Sequence, residues 1–169
     1  MSGAEPLEFQ DENEVLAVVR ASMGRRILGI VSLGMLGFLV IYIAFTRPPS
    51  IGWQAFLLVI GGASLWCMDA MRRATSSAVE LTPTELRDAD GTVIALVEDI
   101  EGIDRGFFAF KPSNGFLLKT KTKAGRAWRP GLWWRMGRRI GIGGMTPGSQ
   151  TKFMSEVLAA MMATRDAQD

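Results

Sequence analysis

ILGIVSLGMLGFLVIYIAFT, residues 27–46, is a run of twenty residues without a charge. A second apolar run, residues 53–71, reads WQAFLLVIGGASLWCMDAM and is interrupted only by Gln54 and Asp69. An α-helix rises about 1.5 Å per residue and the hydrocarbon core of a bilayer is about 30 Å thick, so each run is long enough to span it. The sequence therefore predicts a membrane hairpin of two helices over residues 27–73, with spans at 27–46 and 53–71.

The charges around the hairpin predict its orientation. The connector between the spans contains one cation, Arg47, whereas five arginines lie at the other end of the hairpin: Arg20, Arg25, Arg26, Arg72 and Arg73. Because cations are enriched in cytoplasmic flanks, this asymmetry predicts that both termini are cytoplasmic. The full-length first run and its acidic leader favour a retained span over a cleaved signal sequence.

Small and polar residues within the spans have two interpretations. Gly29, Gly34 and Gly37 in the first span, and residues 61–64 (GGAS) in the second, would let helices approach closely. They either pack the hairpin together or dock it onto another membrane subunit, and both are compatible with two helices. Asp69 lies one turn from Arg72 and Arg73, so we expect a surface carboxylate paired with these arginines rather than a functional intramembrane acid.

Residues 1–26 form an acidic lead to the first span. Residues 1–10 are predicted to be disordered, and Asp11 with Glu14 resembles a capping box that begins a helix. The apolar side of that amphipathic helix would consist of Val15, Leu16, Val18, Val19 and Met23. The sequence thus predicts a helical lead-in, either continuous with the first span or lying along the interface.

Residues 74–169 have the composition of one small cytoplasmic domain with β signals followed by a helix. Residues 79–86 are predicted as a strand, a Pro-containing turn and the start of a second strand, and a strand at residues 92–97 follows the Asp-Gly turn at residues 88–91. Residues 107–121 are predicted as a hairpin around residues 111–115. Further short strands are predicted at residues 126–128, 133–136 and 139–142. The final helix has one apolar stripe, Phe153, Met154, Val157, Leu158, Met161 and Met162. This order predicts an α+β domain, a small curled sheet or barrel closed at one end by the helix.

That order of elements behind two spans resembles bacterial membrane proteins that carry a pleckstrin-homology-like (PH-like) domain. The resemblance rests on RRIGIGG at residues 138–144 followed by a helix at 149–165, and on VEDIEGI at 97–103, which is similar to a D-I-x-x-I segment. It covers roughly residues 76–165. It implies a partly open antiparallel β-barrel capped by one C-terminal helix, a place in the bacterial inner membrane, and no catalytic residues.

The chain offers little for catalysis or metal binding. It has no histidine, and its one cysteine, Cys67, lies within the second span. Six acidic residues are clustered in sequence, Asp88, Asp90, Glu98, Asp99, Glu101 and Asp104, and we expect them to form turns and a solvated face. The glycines of residues 137–144 match no phosphate-binding loop. The sequence predicts a non-enzymatic protein with no catalytic, cofactor or metal site.

One segment carries the candidate contact residues. This basic tryptophan segment consists of Lys119, Lys121, Lys123, Arg126, Trp128, Arg129, Trp133, Trp134, Arg135, Arg138 and Arg139. Cations interleaved with tryptophan suit an anionic bilayer surface. Alternatively, the tryptophans pack the domain core and the cations are merely solvated.

These features lead to two functional hypotheses. The first is a membrane-anchored interaction module, an accessory or assembly subunit that binds another membrane protein within a larger complex. The second is a sensor or binder of anionic lipid headgroups at the cytoplasmic leaflet. A membrane hairpin argues against nucleic acid as the partner of the basic tryptophan segment.

Overall fold

The computed structural model describes residues 13–47, 50–104 and 112–167. Its elements in chain order are β1 (Ala17–Arg20), α1 (Met23–Thr46), α2 (Ile51–Ala74), β2 (Ala78–Leu81), β3 (Glu85–Asp88), β4 (Val93–Leu96), a 3₁₀ turn (Val97–Asp99), β5 (Ile100–Asp104), β6 (Phe116–Arg129), β7 (Trp133–Ile142) and α3 (Gly148–Asp166). The predicted disorder at residues 1–10, the first capping residue Asp11, and the predicted strand at residues 107–110 lie outside the described residues.

Helices α1 and α2, with 24 residues each, are long and apolar enough to cross a membrane. They form an antiparallel pair whose backbones approach each other closely at Gly37 and Gly61. A Cβ atom added to Gly37 would lie 3.0 Å from the carbonyl oxygen of Gly61, and one added to Gly61 would lie 2.5 Å from Ile41. These glycines therefore serve contact within the hairpin, whereas Gly62 has open space beside it.

The predicted helix before α1 is wrong, because Ala17–Arg20 form a strand. This strand pairs antiparallel with β2, with Ala17 opposite Leu81 and Arg20 opposite Ala78. Ala17 and Val19 are buried in the domain core while Arg20 is exposed, the period of two expected for a strand. Pairing with β2 and burial on one face outweigh the local capping signal.

The apolar hairpin is consequently inserted between two paired strands. Residues 21–22 link β1 to α1, and residues 75–77 link α2 to β2. The N–H of Ser22 also donates to the carbonyl oxygen of Met145 at 2.7 Å, in the loop before α3. Both helices therefore leave the domain at the same end of the paired strands β1 and β2. The links are too short to let the domain move away from the helices.

Seven antiparallel strands form two sheets, ordered β1-β2-β3-β4 and β5-β6-β7. The sheets share one core with α3, and its fully buried large side chains include Trp133, Leu81, Leu86, Ile100, Leu118, Ile140, Met154 and Leu158. Within the described residues the two sheets do not close into a barrel. The coarse α+β architecture predicted from the sequence is thus confirmed: two apolar helices, antiparallel sheet, then a helix.

The strands predicted around residues 79–97 are confirmed, but the later short strands merge. Residues 126–128 belong to the long β6, while 133–136 and 139–142 both belong to β7. β7 continues through Gly137, whose φ of 63° allows a bend that other residues rarely adopt. The predicted C-terminal helix is confirmed as α3, which begins after Pro147 and buries Met154, Leu158 and Met161.

Candidate functional site

Trp133 belongs to the domain core and not to a surface. It is 1% exposed, and its indole Nε1 donates to Oδ2 of Asp88 at 2.7 Å. The hydroxyl of Ser77, in the link from α2, donates to Oδ1 of the same carboxylate. Asp88 is completely buried, so its expected place on a solvated face is wrong. The alternative in which a tryptophan packs the core is correct for Trp133.

Three cations of the basic tryptophan segment are held by carboxylates. Arg129 binds Asp90 at 2.7 Å, while Lys119 and Arg138 bind the two oxygens of Glu101 at 3.1 and 2.9 Å. A hydrogen bond from Lys119, and the charges around it, lower the pKa of Glu101 below its ordinary value. These cations are neutralised within the domain, which weakens their electrostatic attraction for an external anion.

The pKa of Asp90 is also lowered below its ordinary value. Hydrogen bonds from Thr92 are the largest cause, with its backbone N–H donating at 2.9 Å, and the charge of Arg129 adds to them. Asp90 thus remains a carboxylate that tightens the turn between β3 and β4 and holds Arg129 beside it.

Arg135 joins the two sheets. Its guanidinium donates to the carbonyl oxygens of Val93 at 3.1 Å and Ile94 at 2.9 Å on β4, and to that of Gly125 at 2.9 Å on β6. These bonds satisfy acceptors of β4, the edge strand of its sheet. The role of Arg135 is therefore structural.

Four cations of the segment are exposed and have no hydrogen bond or ion pair with any other described residue: Lys121, Lys123, Arg126 and Arg139. Lys121 and Lys123 lie where β6 bulges away from β7, since Lys119 pairs with Arg139 but Ala124 pairs with Gly137. Thr122 anchors the bulge through its hydroxyl, which donates to Asp99 at 2.6 Å. These four cations are the members of the segment most open to an anionic partner, and of the four the charge of Lys121 also helps to lower the pKa of Glu101.

The two remaining tryptophans form a cross-strand pair, Trp128 on β6 and Trp134 on β7. The indole of Trp134 covers Gly141, where an added Cβ would lie 2.3 Å from Nε1. Trp128 is 57% exposed, and its ring centroid lies 6.2 Å from that of Trp66 on α2. The three tryptophans of the segment thus have different surroundings. Trp133 lies in the core, Trp134 covers Gly141 of its own sheet, and Trp128 contacts the apolar hairpin.

Two depressions flank these residues. A cleft of about 500 Å³ at the junction of α2 and the domain is lined by Arg20, Arg73, Ser76, Asp90 and Arg129, among others. Two of its arginines are already paired, Arg73 with Asp69 and Arg129 with Asp90. The predicted pairing of Asp69 with Arg72 and Arg73 is confirmed.

The second depression is a groove of about 510 Å³ between β4 and the bulge of β6. The exposed apolar side chains of Val93 and Leu96 lie on one side of it. Its lining also includes charged side chains of both signs: Glu98, Asp99, Lys121 and Arg135. A groove of mixed apolar and charged character suits a protein segment better than a small apolar ligand.

The described residues contain no group of three or more His, Cys, Asp or Glu side chains that could hold a metal ion. Comparisons with protein-family models, curated proteins and solved structures gave no match to this chain.

Proposed function

We propose that this protein is a non-enzymatic, membrane-anchored interaction module that acts as an accessory or assembly subunit of a larger bacterial inner-membrane complex. The observation that carries the proposal is the insertion of the apolar hairpin between the paired strands β1 and β2. With the hairpin in a bilayer, the short links at residues 21–22 and 75–77 hold the domain at the membrane surface. A partner of the domain must then be met close to that surface.

The order of the elements supports a PH-like domain. Two antiparallel sheets are built from consecutive strands, four and then three, and a single helix follows them. The charges support cytoplasmic termini, because Arg20, Arg25, Arg26, Arg72 and Arg73 lie at the end of the hairpin that carries the domain. Arg47 lies at the opposite end.

The groove between β4 and β6 is the proposed contact for a protein partner. Leu96 is 45% exposed there, beside the charged side chains of Glu98 and Lys121. An exposed leucine surrounded by charges of both signs offers a partner an apolar anchor with a polar rim. The contacts between α1 and α2 leave the outer surface of the hairpin, including Gly62, free for a second contact in the bilayer.

The test is a pull-down of the full-length chain from its native membrane in mild detergent, with the retained proteins quantified by mass spectrometry. We expect one stoichiometric membrane protein that is retained by the wild type and lost with Leu96→Lys in the groove. Phe153→Lys is the matched control, because Phe153 is a large apolar residue, 54% exposed on α3, away from the groove lining. A monomer without a co-purifying protein would contradict the proposal.

Lys121, Lys123, Arg126 and Arg139, which form no ion pair with another described residue, favour a second candidate function, binding of anionic lipid headgroups at the cytoplasmic leaflet. Each cation near an anionic surface contributes on the order of 1 kcal/mol, and salt screens that attraction. Glu101 neutralises Lys119 and Arg138, and Asp90 neutralises Arg129. This candidate therefore rests on the other exposed cations of the basic tryptophan segment, Lys121, Lys123, Arg126 and Arg139.

This candidate is tested on the full chain, because a fragment beginning at residue 74 would lack β1 and uncover the core around Val19. Nanodiscs of mixed phosphatidylcholine and phosphatidylglycerol would be analysed for lipid retained by the protein after transfer to detergent. We expect phosphatidylglycerol to be enriched around the wild type. Replacing Lys121, Lys123, Arg126 and Arg139 by Gln should reduce the enrichment strongly, whereas Lys119→Gln should reduce it little. Equal lipid composition around all variants would exclude the candidate.

A further inference from the structure

We infer that the outer face of β6 and β7 around Trp128 and Met136 enters the bilayer interface beside α2, as a membrane contact separate from the two spans. The inference rests on the membrane insertion of the hairpin in the proposed function, but it needs no protein partner. The partner of this surface is the boundary between lipid headgroups and acyl chains.

The depth of Trp128 follows from its contact with α2. Trp66 precedes Arg72 by six residues, a distance of about 9 Å along a helix axis. With the guanidinium of Arg72 among the headgroups, Trp66 lies at the edge of the hydrocarbon. The centroid of the Trp128 ring is 6.2 Å from that of Trp66, so the depths of the two indoles differ by no more than that distance. This places a side chain of the sheet domain within the layer that tryptophan prefers.

The neighbouring side chains extend the same surface. Trp128 is paired with Trp134 across the strands, and Met136 lies two residues after Trp134, on the same face of β7. Met136 is 58% exposed and Trp128 is 57% exposed. Two large apolar side chains left open beside an apolar helix form a surface continuous with the lipid-facing side of α2. A bilayer would cover both of them.

The charge of this region fits the same location. Arg126, two residues before Trp128, is exposed and makes no hydrogen bond or ion pair with any other described residue. Residues 116–142, which contain β6 and β7, include no aspartate or glutamate. Anionic headgroups would therefore meet a cation next to the apolar residues and no carboxylate on these two strands. Trp128 and Met136 contribute the apolar part of the contact, and Arg126 the electrostatic part.

The experiment measures depth in vesicles of phosphatidylcholine and phosphatidylglycerol with spin-labelled full-length protein. In a Cys67→Ser background, single nitroxides are placed through Met136→Cys, Val93→Cys or Val59→Cys. Val93 is an exposed apolar residue on β4, and Val59 is an exposed residue inside α2. Collision rates with oxygen, which enters lipid, and with a water-soluble nickel chelate give the depth of each label.

We expect the label at 136 to favour oxygen over the nickel chelate, as the label at 59 does, and the label at 93 to favour the chelate. A label at 136 as accessible to the chelate as the label at 93 would overturn the inference. In that case a lipid-like result at 59 keeps the proposed membrane anchoring intact. A water-like result at 59 would instead defeat the membrane anchoring itself.

A second measurement avoids the labelled variants. Acrylamide quenching of tryptophan fluorescence is compared for the wild type and Trp128→Phe in the same vesicles. The chain has five tryptophans, so an emitter exposed to water at position 128 would account for a sizeable part of the quenchable signal. We expect the quenchable signal to be unchanged by Trp128→Phe, because lipid shields that indole. A clear drop in the quenchable signal would contradict insertion.

Discussion

The indole Nε1 of Trp133 donates a hydrogen bond to Oδ2 of Asp88 across 2.7 Å, and both side chains are shut off from solvent. The bond joins β7 to β3 and therefore one sheet to the other. Ser77 donates to the same carboxylate from the link that leaves α2. The link that follows α2 is thus hydrogen-bonded to the core of the domain through the buried carboxylate of Asp88.

Replacing Trp133 by Phe should lower the free energy of unfolding of the domain by about 2–4 kcal/mol, because it leaves a buried carboxylate oxygen without its donor and creates a void. Denaturant titration in detergent, monitored by circular dichroism of the sheets, measures the loss. Trp134→Phe is the matched control, since Trp134 is only partly buried and has no hydrogen bond to another described residue. Equal losses for the two variants would contradict the importance of the Asp88 bond.

The contact between α1 and α2 predicts a contrast between two adjacent glycines. Gly61→Leu should separate the helices, because even a Cβ atom there would lie 2.5 Å from Ile41, and overpacking of this kind costs about 1–3 kcal/mol. Gly62→Leu should be tolerated, since nothing lies within 4 Å of its Cβ position. Disulfide cross-linking between cysteines placed on the two helices, compared in both variants, measures the separation. Similar cross-linking yields would refute the close approach at Gly61.

The strand β1 predicts that the segment before the first span is part of the domain. Val19 is completely buried, so Val19→Asp should place an unpaired carboxylate in the core at a cost of several kcal/mol, enough to unfold a marginally stable domain. Val15→Asp is the control, because Val15 is 40% exposed and precedes the strand. Limited proteolysis of the reconstituted chain reads out folding. A domain that resists protease equally well in both variants would show that β1 is dispensable.

Local sequence signals predicted much of this fold. Two apolar runs of membrane-spanning length require no tertiary information, and the turns at residues 82–84 and 89–92 separate β2, β3 and β4 clearly. β1 was missed because VLAVV at residues 15–19 suits a helix face and a strand alike. Its partner, Ala78–Leu81, lies beyond both apolar helices, so the pairing that decides between the two structures is not visible locally.

The candidate site was predicted as one group, and the structure divides it. Trp133 and Trp134 are adjacent on β7 and therefore face opposite sides of the sheet, but which side is buried depends on the other sheet, where Asp88 accepts the hydrogen bond of Trp133. The neutralising partners of Lys119 and Arg129 are Glu101 and Asp90, which reach them through long-range strand and turn contacts. Composition predicted a basic, aromatic surface, but only the fold distinguishes paired cations from free ones.

The ion pairs of Glu101 predict a specific acid dependence of stability. The pKa of Glu101 is lowered from its ordinary 4.5, so the unfolded chain binds its proton first as the pH falls. The stability given by the carboxylate is therefore complete above about pH 4.5 and is lost as the pH falls through the lowered pKa. Lys119 at 3.1 Å and Arg138 at 2.9 Å are its partners.

Glu101→Gln should accordingly unfold at a slightly lower temperature than the wild type at pH 7, and the two should converge near pH 3. The difference should be no more than a few degrees, because both cations are solvent-exposed, and about 0.5 M salt should shrink it. Glu98→Gln is the control, since Glu98 is exposed and its carboxylate has no ion pair with any other described residue. Thermal unfolding in detergent from pH 3 to 7 measures all three proteins, and a difference that persists at pH 3 would show that Glu101 acts through its shape and not through its charge.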